Sequence, residues 1–398
     1  MKIWCVSKYG SPDVYGPSTK LFNTARSLSN QYDVTLITSN SNPKTTYPPS
    51  SNKINIENLN GLRHVWINLS NYKKSRSIQR FVGWMLFDHY LSKIVDELNE
   101  VPDLIIVSSL PITTIAWALR MKTIYGSKVI FEVRDIYPLT MMEMGYSKYN
   151  PVVKYFSYLE KKGYSEADAI VGTMSQLSLH VESVLGYKKE TFYSPIGLSP
   201  LFLHEDSKLE INLPSNKVIV GYAGSLGKAN NLDPFIELIT LNKNNKSLHF
   251  LVVGDGEYLE QFKSLAFENI TVTGFVHPKD VYKALNSSDI LFLSVNKSRV
   301  LEYGQSMNKI REYLAAGKPI IANYYGYLED QLNCEGIFYN NHDDVNSMNE
   351  ILNRVSALDK NILKQIGESN RNIVKLHYNY KNINENYLNI IDNLFIKN

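Results

Sequence analysis

The chain has 398 residues, of which 44% are hydrophobic and 20% are charged, and its formal net charge is +3. This length is more than one hydrophobic core usually supports, so we predict two domains of roughly 200 residues each. A charge so near neutral argues against a nucleic-acid-binding protein, and two cysteines are too few for a disulfide framework.

The first seven residues turn polar too early for a secretory signal. No apolar run approaches the ~20 residues that are needed to span a bilayer. The cysteines, Cys5 and Cys334, are far apart in the sequence and fit a reducing compartment. We therefore expect a cytoplasmic protein.

Short apolar segments alternate with helical patterns along the first half of the chain. Residues 39–60 interrupt them and, being rich in Ser, Asn and Pro, predict a long polar loop. Alternating strands and helices are typical of a parallel, doubly wound sheet. The predicted strands cover residues 3–7, 33–38, 104–108, 128–132 and 169–173, and the predicted helices cover residues 18–29, 113–125 and 152–164.

The alternation restarts after residues 193–200, which contain two prolines and a glycine and predict a linker. We therefore predict an α/β fold with two Rossmann-like domains, residues 1–195 and 200–380, facing a cleft that binds ligands. Strands are predicted at residues 218–222, 249–253, 270–273, 290–294, 319–322 and 336–339, and helices at residues 231–241, 258–267, 278–287 and 309–316.

The end of the chain has apolar residues near helical spacing. We expect this C-terminal helix, residues 382–398, to pack back on the first domain. The sequence equally allows it to pack on the second domain.

A loop, a short helix ending at Gly317, and a strand make up residues 306–322. Lys309 and Glu312 fall at the start of the helix, where unpaired N–H groups and the helix dipole favour bound phosphate. The lysine can neutralise phosphate oxygens, and the glutamate can accept hydrogen bonds from ribose or sugar hydroxyls. The alternative is an amphipathic helix whose charges face solvent.

Two glycine-rich segments lie at matching strand-to-helix junctions. Residues 9–19 contain Gly10 and Gly16 but form neither a GxGxxG motif nor a P-loop, so NAD and ATP motifs are absent. Residues 221–233 have three glycines within seven residues and predict an anion-facing loop. The first segment equally fits a plain turn, and Lys228 in the second equally fits a solvated side chain.

Two later loops follow predicted strands in the second half. One begins at Gly254, and the other contains Phe275 and Val276. Because both lie at the carboxyl ends of strands, both should line the same rim of the cleft. Backbone groups around Phe275 and Val276 are placed to contact the edge of a nucleobase.

An ordered series of motifs runs through nearly the whole chain. After the N-terminal glycine-rich loop come Ala-Gly-Ser-Leu-Gly, Val-Val-Gly-Asp-Gly-Glu, Val-Thr-Gly-Phe-Val and Asn-Lys-Ile-Arg-Glu-Tyr-Leu-Ala-Ala-Gly-Lys-Pro-Ile. This order resembles the family-4 retaining glycosyltransferases of the GT-B fold. The chain looks closest to the branch with bacterial O-antigen and capsule N-acetyl-fucosamine transferases, whose Arg-Asp-aromatic-Pro element is matched by Arg-Asp-Ile-Tyr-Pro at residues 134–138.

The resemblance implies a nucleotide-diphosphate-sugar donor that is held mainly by the second domain. Glu312 matches the second Glu of the family's Glu-x7-Glu element and would bind the ribose, while Lys309 would bind the diphosphate. Gly16 and the Gly224 loop would approach the phosphates from both sides of the cleft. The residues expected to bind the donor are Gly16, Gly224, Ser225, Lys228, Gly254, Phe275, Val276, Lys309 and Glu312.

The sequence departs from the family pattern at two positions. Gly304 occupies the place of the first Glu of Glu-x7-Glu, and the nearest acid, Glu302, is displaced by two residues. Ser225 occupies the place of a phosphate-clamping arginine. We therefore expect Lys309, with Arg299 or Lys228 as helpers, to carry more of the diphosphate charge than its counterparts do.

The candidates for catalysis are Glu132, Arg134 and Asp135 at the end of a strand in the first domain, together with Lys309 at the leaving group. A structural Arg-Asp ion pair is the alternative. No Asp-x-Asp motif stands out, so we expect no metal and no cofactor, with a UDP-sugar as co-substrate.

Residues 72–87 mix four cations with an aromatic and apolar stripe. Such a segment suits an interfacial helix with Phe81, Trp84, Met85 and Phe87 dipping into the acyl boundary. A core helix with a basic outer face fits equally well. The acceptor that the resemblance implies, a polyprenyl-diphosphate-linked saccharide, favours peripheral contact with the cytoplasmic face of the inner membrane.

The leading hypothesis is transfer of an N-acetylated hexose or deoxyhexose, with retention, from a UDP-sugar to a lipid-linked saccharide of O-antigen or capsule. A nucleotide-sugar epimerase on the same scaffold is one alternative, although it would need a different set of paired acids. A noncatalytic nucleotide-sugar-binding subunit is the other, because the first Glu and the clamp arginine are missing.

Overall fold

The computed structural model describes residues 1–72, 77–198, 202, 209–326, 334–340 and 342–396. These residues form two compact units, the first comprising Met1–Ile196 with Tyr380–Asn398 and the second Gly197–Asn379. The boundary lies in the predicted linker, of which Ser199 and Pro200 are outside the described residues. Each unit contains one mainly parallel sheet with helices, which confirms the prediction of two doubly wound α/β domains.

Unit 1 is built on an eight-stranded sheet. Its strands are β1 (Lys2–Val6), β2 (Asp33–Ser39), β3 (Ile54–Leu59), β4 (Leu62–Ile67), β5 (Leu104–Ser108), β6 (Lys128–Val133), β7 (Ala169–Gly172) and β8 (Phe192–Tyr193). The strand order is β3-β4-β2-β1-β5-β6-β7-β8. The order reverses at β1, which pairs with β2 on one side and β5 on the other.

Six helices accompany these strands within residues 1–196 as far as the structure describes them. The first begins after Thr19, whose side chain accepts a hydrogen bond from the N–H of Phe22 and so caps the helix. The helices are α1 (Lys20–Leu28), α2 (Ile78–Leu98), α3 (Thr114–Tyr125), α4 (Leu139–Glu143), α5 (Pro151–Glu166) and α6 (Leu177–Leu185).

The predicted polar loop at residues 39–60 is wrong in its last part. Strand β3 lies there and pairs antiparallel with β4. Asn60 and Gly61, with φ of 52° and 93°, make the two-residue turn between them. An Asn-Gly pair favours this hairpin because both turn residues need positive φ, and the density of polar residues had masked that signal.

Unit 2 is built on a six-stranded parallel sheet. Its strands are β9 (Val218–Ala223), β10 (Leu248–Val253), β11 (Ile270–Gly274), β12 (Ile290–Ser294), β13 (Ile320–Asn323) and β14 (Ile337–Tyr339). The strand order is β11-β10-β9-β12-β13-β14. The order therefore reverses between β9 and β12, and loops at the carboxyl ends of these two strands adjoin the reversal.

The helices of unit 2 cover both faces of its sheet and enclose two apolar cores. On one face Phe235 stacks on Phe292 with ring centroids 4.3 Å apart, and on the other Ile310 and Leu314 are fully buried. The described helices are α7 (Asp233–Leu241), α8 (Leu259–Ser264), α9 (Val281–Asn286), α10 (Asn308–Ala316), α11 (Val345–Ser356) and α12 (Lys360–His377).

The C-terminal helix, α13 (Tyr380–Ile396), belongs to unit 1 and packs against α1. Tyr387, Ile390 and Ile391 of this helix are buried in the same apolar core as Leu21. Among the described helices, none is both long enough and apolar enough to span a membrane.

Candidate functional site

The reversal of strand order in unit 2 brings two predicted segments together. Open parallel sheets bind ligands outside the strand ends at such a reversal. The Gly224 loop follows β9, and α10 follows β12. A Cβ atom on Gly224, where φ is 151°, would lie 2.8 Å from Cε of Lys309. Glycine is therefore needed at residue 224 for the lysine to occupy this place.

The Lys309 amine is held by neutral groups. Its Nζ donates hydrogen bonds to the Tyr222 hydroxyl at 2.7 Å and to Oδ1 of Asn230 at 2.9 Å. Within the part of the chain that the structure describes, no ion pair joins this amine to a carboxylate. Burial lowers the pKa of Lys309 to about 7, although nearby Glu312 opposes the shift. The amine is thus placed to gain a negatively charged partner.

Glu312 lies one helical turn after Lys309, on the same side of α10. No hydrogen bond or ion pair connects its carboxylate to another described residue. Burial raises the pKa of Glu312, while the charges of Arg311 and Lys309 oppose that rise. The carboxylate oxygens are therefore available to accept hydrogen bonds from a ligand.

The loops after β9 and β10 pack backbone against backbone. A Cβ on Gly254, where φ is 146°, would lie 1.8 Å from the carbonyl oxygen of Gly224. The N–H of Gly224 donates to Val253, and the N–H of Leu226 donates to Asp255, each at 2.9 Å. Gly254 therefore shapes the loop that carries Gly224, which places these two predicted residues side by side.

Ser225 and Lys228 are both exposed. The carbonyl of Ser225 accepts hydrogen bonds from the Tyr222 hydroxyl at 2.7 Å and from Nδ2 of Asn230 at 2.8 Å. Phe275, which is 70% exposed, follows β11 together with partly buried Val276. Strand β11 is two places from β9, a separation of roughly 10 Å, so these two residues stand apart from Lys309.

Two residues at this site, Tyr222 and Asn230, were not predicted from the sequence. Tyr222 is the last residue but one of an apolar strand and resembles an ordinary core residue, yet its hydroxyl contacts Lys309. A polar-tipped aromatic near the carboxyl end of a strand, beside a glycine-rich loop, is the signal that could have identified it.

Tyr313 fixes the start of α10 against the end of β9. Its hydroxyl donates to the carbonyl of Ala223 at 3.1 Å and accepts from the same residue's N–H at 3.0 Å. The side chain is fully buried. This pairing sets the distance between the Gly224 loop and Lys309.

The residues of this site lie within a match to a known protein family. Residues 217–357 match the sequence model of the family described as Glycosyl transferases group 1. The matched residues lie within unit 2. This match confirms the predicted glycosyltransferase enzyme, whereas the O-antigen and capsule branch stays a prediction. A search of curated proteins by sequence finds no significant match.

Solved structures with the same fold cover essentially the whole chain. Sucrose-phosphate synthase from Thermosynechococcus elongatus has 16% identity and a TM-score of 0.75 over 100% of both chains. An alpha,alpha-trehalose-phosphate synthase (UDP-forming) from Burkholderia vietnamiensis has 12% identity and a TM-score of 0.69 over 99% of this chain and 97% of its own. Anabaena HepE in complex with UDP and glucose has 13% identity and a TM-score of 0.64 over 99% of this chain and 100% of its own. These similarities confirm the GT-B fold class.

In unit 1, Asp135 is the second residue after β6. Its carboxylate has no hydrogen-bond partner among the described residues. Burial raises the pKa of Asp135, and the positive charges of Arg134 and Arg80 oppose the rise. The Ser109 hydroxyl accepts from the backbone N–H groups of Arg134 and Asp135 at 3.0 and 3.3 Å, which fixes the loop. Asp135 thus remains a candidate for contact with an acceptor.

The surroundings of Glu132 contradict the acid/base role that was predicted for it. Its side chain is fully buried and pairs with Nζ of Lys20 at 2.6 Å. The Tyr387 hydroxyl of α13 donates to the same carboxylate oxygen. A strand residue buried in this way cannot reach a substrate, so Glu132 is a structural group inside unit 1.

Gly16 is also explained by packing within unit 1. A Cβ atom there would lie 2.7 Å from the carbonyl oxygen of Lys44. The close passage of residues 44–45 therefore requires glycine at residue 16, whose predicted approach to the phosphates stays a prediction.

The burial of side chains on helix α2 shows that part of the membrane prediction is wrong. Trp84 and Phe87, which were expected to face lipid, are 1% and 0% exposed and belong to the protein interior. Met85 is 69% exposed, as expected, whereas Phe81 is partly buried. Helix packing, with Trp84 and Phe156 ring centroids 6.0 Å apart, decides which face is buried. Three of the four cations, Lys73, Lys74 and Arg76, lie outside the described residues.

Asp343 serves a structural role in unit 2. Its Oδ1 accepts hydrogen bonds from Asn231 at 2.7 Å and from Asn323 at 3.0 Å. In the described ranges, no group of three or more His, Cys, Asp or Glu side chains is arranged to hold a metal ion.

Proposed function

We propose that the chain is a retaining glycosyltransferase that uses a UDP-sugar without a metal ion or other cofactor. The diphosphate of the donor binds Lys309, and the ribose hydroxyls of the donor bind Glu312. The observation that carries this proposal is the Lys309 amine, which lies at the strand-order reversal with two neutral partners. Two structural neighbours support the choice of nucleotide. One is in complex with UDP and glucose, and the other is named as UDP-forming.

The chemistry follows from charge. As the bond between sugar and diphosphate loosens, negative charge grows on the leaving nucleotide. A cation and the N-terminal end of α10 stabilise that charge more strongly in the transition state than in the ground state. Asp135 in unit 1 is proposed to orient the acceptor hydroxyl, because its carboxylate is not engaged by another described residue.

A donor panel tests this function. Incubated with UDP- and GDP-sugars, the enzyme is expected to hydrolyse one UDP-sugar slowly, releasing UDP, with the same rate in EDTA. Reversible isomerisation of the sugar would indicate an epimerase, and binding without turnover would indicate a noncatalytic subunit. A large loss of turnover in EDTA would contradict metal independence.

The proposed acceptor is a lipid-linked saccharide of a surface polysaccharide, presented at the cytoplasmic face of the membrane. Helix α2 supports this with exposed apolar side chains at helical spacing, namely Ile78, Val82, Met85 and Leu86. Helix α5 packs beside α2 through Phe156 and adds exposed Tyr155. Such a surface favours contact with the acyl boundary of a bilayer.

Met85→Glu is expected to reduce co-sedimentation with anionic liposomes several-fold, because a charge replaces an exposed apolar side chain at the membrane boundary. Leu179→Glu on α6 is the matched control, since Leu179 is also an exposed helical residue of unit 1. Failure of the unaltered protein to bind liposomes would remove the membrane contact from the proposal.

A further inference from the structure

The two neutral partners of Lys309 are themselves oriented by one carbonyl group. The Tyr222 hydroxyl donates its proton to the carbonyl of Ser225, so only its lone pairs face the lysine. Asn230 donates its amide Nδ2 to the same carbonyl, so Oδ1 faces the lysine. Ser225, which replaces the expected arginine, thus acts through its backbone.

Resting on the proposed function, we infer that Tyr222 and Asn230 are positioning residues that keep the Lys309 amine without a counter-charge until a nucleoside diphosphate binds. The amine then takes up a proton from solvent and pairs with the diphosphate. Tyr222 and Asn230 therefore set the pH range over which the site holds its ligand.

The groups around the amine support this inference. Tyr222 faces it from β9 and Asn230 from the short 3-10 helix Lys228–Asn230, and neither carries a charge at neutral pH. Glu312 on α10 is the charged group that favours the protonated amine. Arg311 is turned toward Asn308, to which it donates at 2.6 Å.

The direction of the pH effect follows from linkage. Burial places the pKa of Lys309 at about 7 in the ligand-free protein, and a bound diphosphate raises it. Well below pH 7 the amine is protonated with or without ligand, so affinity does not depend on its titration. Above pH 7 binding requires proton uptake, so affinity falls by up to about tenfold per pH unit.

Calorimetry with UDP between pH 7 and 9 measures this pH dependence directly, because the terminal phosphate of UDP, with a pKa of about 6, is already ionised there. We expect affinity to fall up to about tenfold between pH 7 and 8. The binding heat should change between buffers of different ionisation enthalpy. At pH 8 the protein should take up nearly one proton for each UDP that binds.

Asn230→Asp is the decisive variant. A carboxylate at this place should raise the pKa of Lys309 by about 1–3 units, because an opposite charge would stand beside the amine. UDP affinity should then become nearly independent of pH from 7 to 8, and proton uptake at pH 8 should fall. Asn230→Ala introduces no charge and should keep the slope, while Glu312 is the same in both variants.

Tyr222→Phe removes one acceptor from the amine. UDP affinity at pH 7 should fall about 3- to 10-fold, as expected for one neutral hydrogen bond. The difference from the unaltered protein should shrink at pH 6, where the amine is protonated in both. Asn244→Asp, in the exposed turn before β10, is the control for the charge that Asn230→Asp adds. Its UDP affinity and pH slope should match those of the unaltered protein.

The outcomes separate the inference from the proposed function. UDP binding without proton uptake, or equal pH slopes for Asn230→Asp and the unaltered protein, overturns the inference alone. Absence of UDP binding at every pH overturns both. If Asn230→Asp fails to fold, proton uptake by the unaltered protein together with the Tyr222→Phe comparison decides the question.

Discussion

Lys309→Met is expected to lower UDP affinity roughly 10- to 100-fold and to lower sugar transfer by at least the same factor. Each hydrogen bond from a charged amine to a phosphate oxygen contributes about 1.5–3 kcal/mol, and about 1.4 kcal/mol corresponds to a factor of ten. Two of the three hydrogens of the protonated amine donate to Tyr222 and Asn230, so loss of the remaining bond, to a phosphate oxygen, removes about one to two powers of ten. The transfer rate falls further if the amine stabilises the leaving diphosphate more than the bound donor.

Methionine keeps much of the length of the lysine stem, which lies against Gly224. The fold should therefore survive, although the Tyr222 hydroxyl and the Asn230 amide each lose a partner. Lys243→Met is the matched control, because Lys243 is an exposed lysine of unit 2 outside this site. Its removal should change UDP affinity less than about threefold, as expected for a solvated charge.

Calorimetry with UDP and initial-rate assays with the donor that the panel identifies measure both effects. Thermal unfolding checks that each variant is folded. Unchanged UDP affinity in a folded Lys309→Met protein would contradict the proposed donor site. An equal loss in Lys243→Met would show that the effect does not come from the donor site.

The place of Lys309 and Glu312 near the start of a helix could be predicted because the signal is local. A loop, a helix start and a glycine stop are all visible within residues 306–322, and the structure has α10 and Gly317 at those places. Tyr222 and Asn230 are more than 75 residues away in sequence. Their contact with Lys309 depends on the reversal of strand order between β9 and β12, which short-range patterns do not specify.

The direction in which a side chain points was harder to predict than the element that carries it. Strand β6 and helix α2 lie where strand and helical patterns were predicted. In β6, however, both faces are buried, so alternation could not tell whether Glu132 points to a site or into the core. In α2 the apolar residues surround the helix, and only its packing against α5 showed that Trp84 is internal.

Lys20→Met is expected to destabilise unit 1 by about 3–5 kcal/mol, because it leaves the buried Glu132 carboxylate without its positive partner. For a unit of this size, that corresponds to a fall in Tm of roughly 6–20 °C. Tyr387 still donates to the carboxylate, but a neutral hydroxyl compensates only part of the lost charge. Thermal and urea unfolding with a probe in unit 1 measure the change.

The double variant Lys20→Met, Glu132→Leu is expected to regain most of the lost stability, since an apolar pair of similar volume replaces the buried ion pair without desolvating a charge. Lys122→Met is the control, because Lys122 pairs with Asp168 at 2.9 Å nearer the surface, where such a pair contributes about 1 kcal/mol or less. Equal instability of the single and double variants would contradict the ion-pair explanation. The double variant also decides the role of Glu132: retained sugar transfer follows from a structural carboxylate, whereas loss of transfer in a stable protein would restore its predicted part in the chemistry.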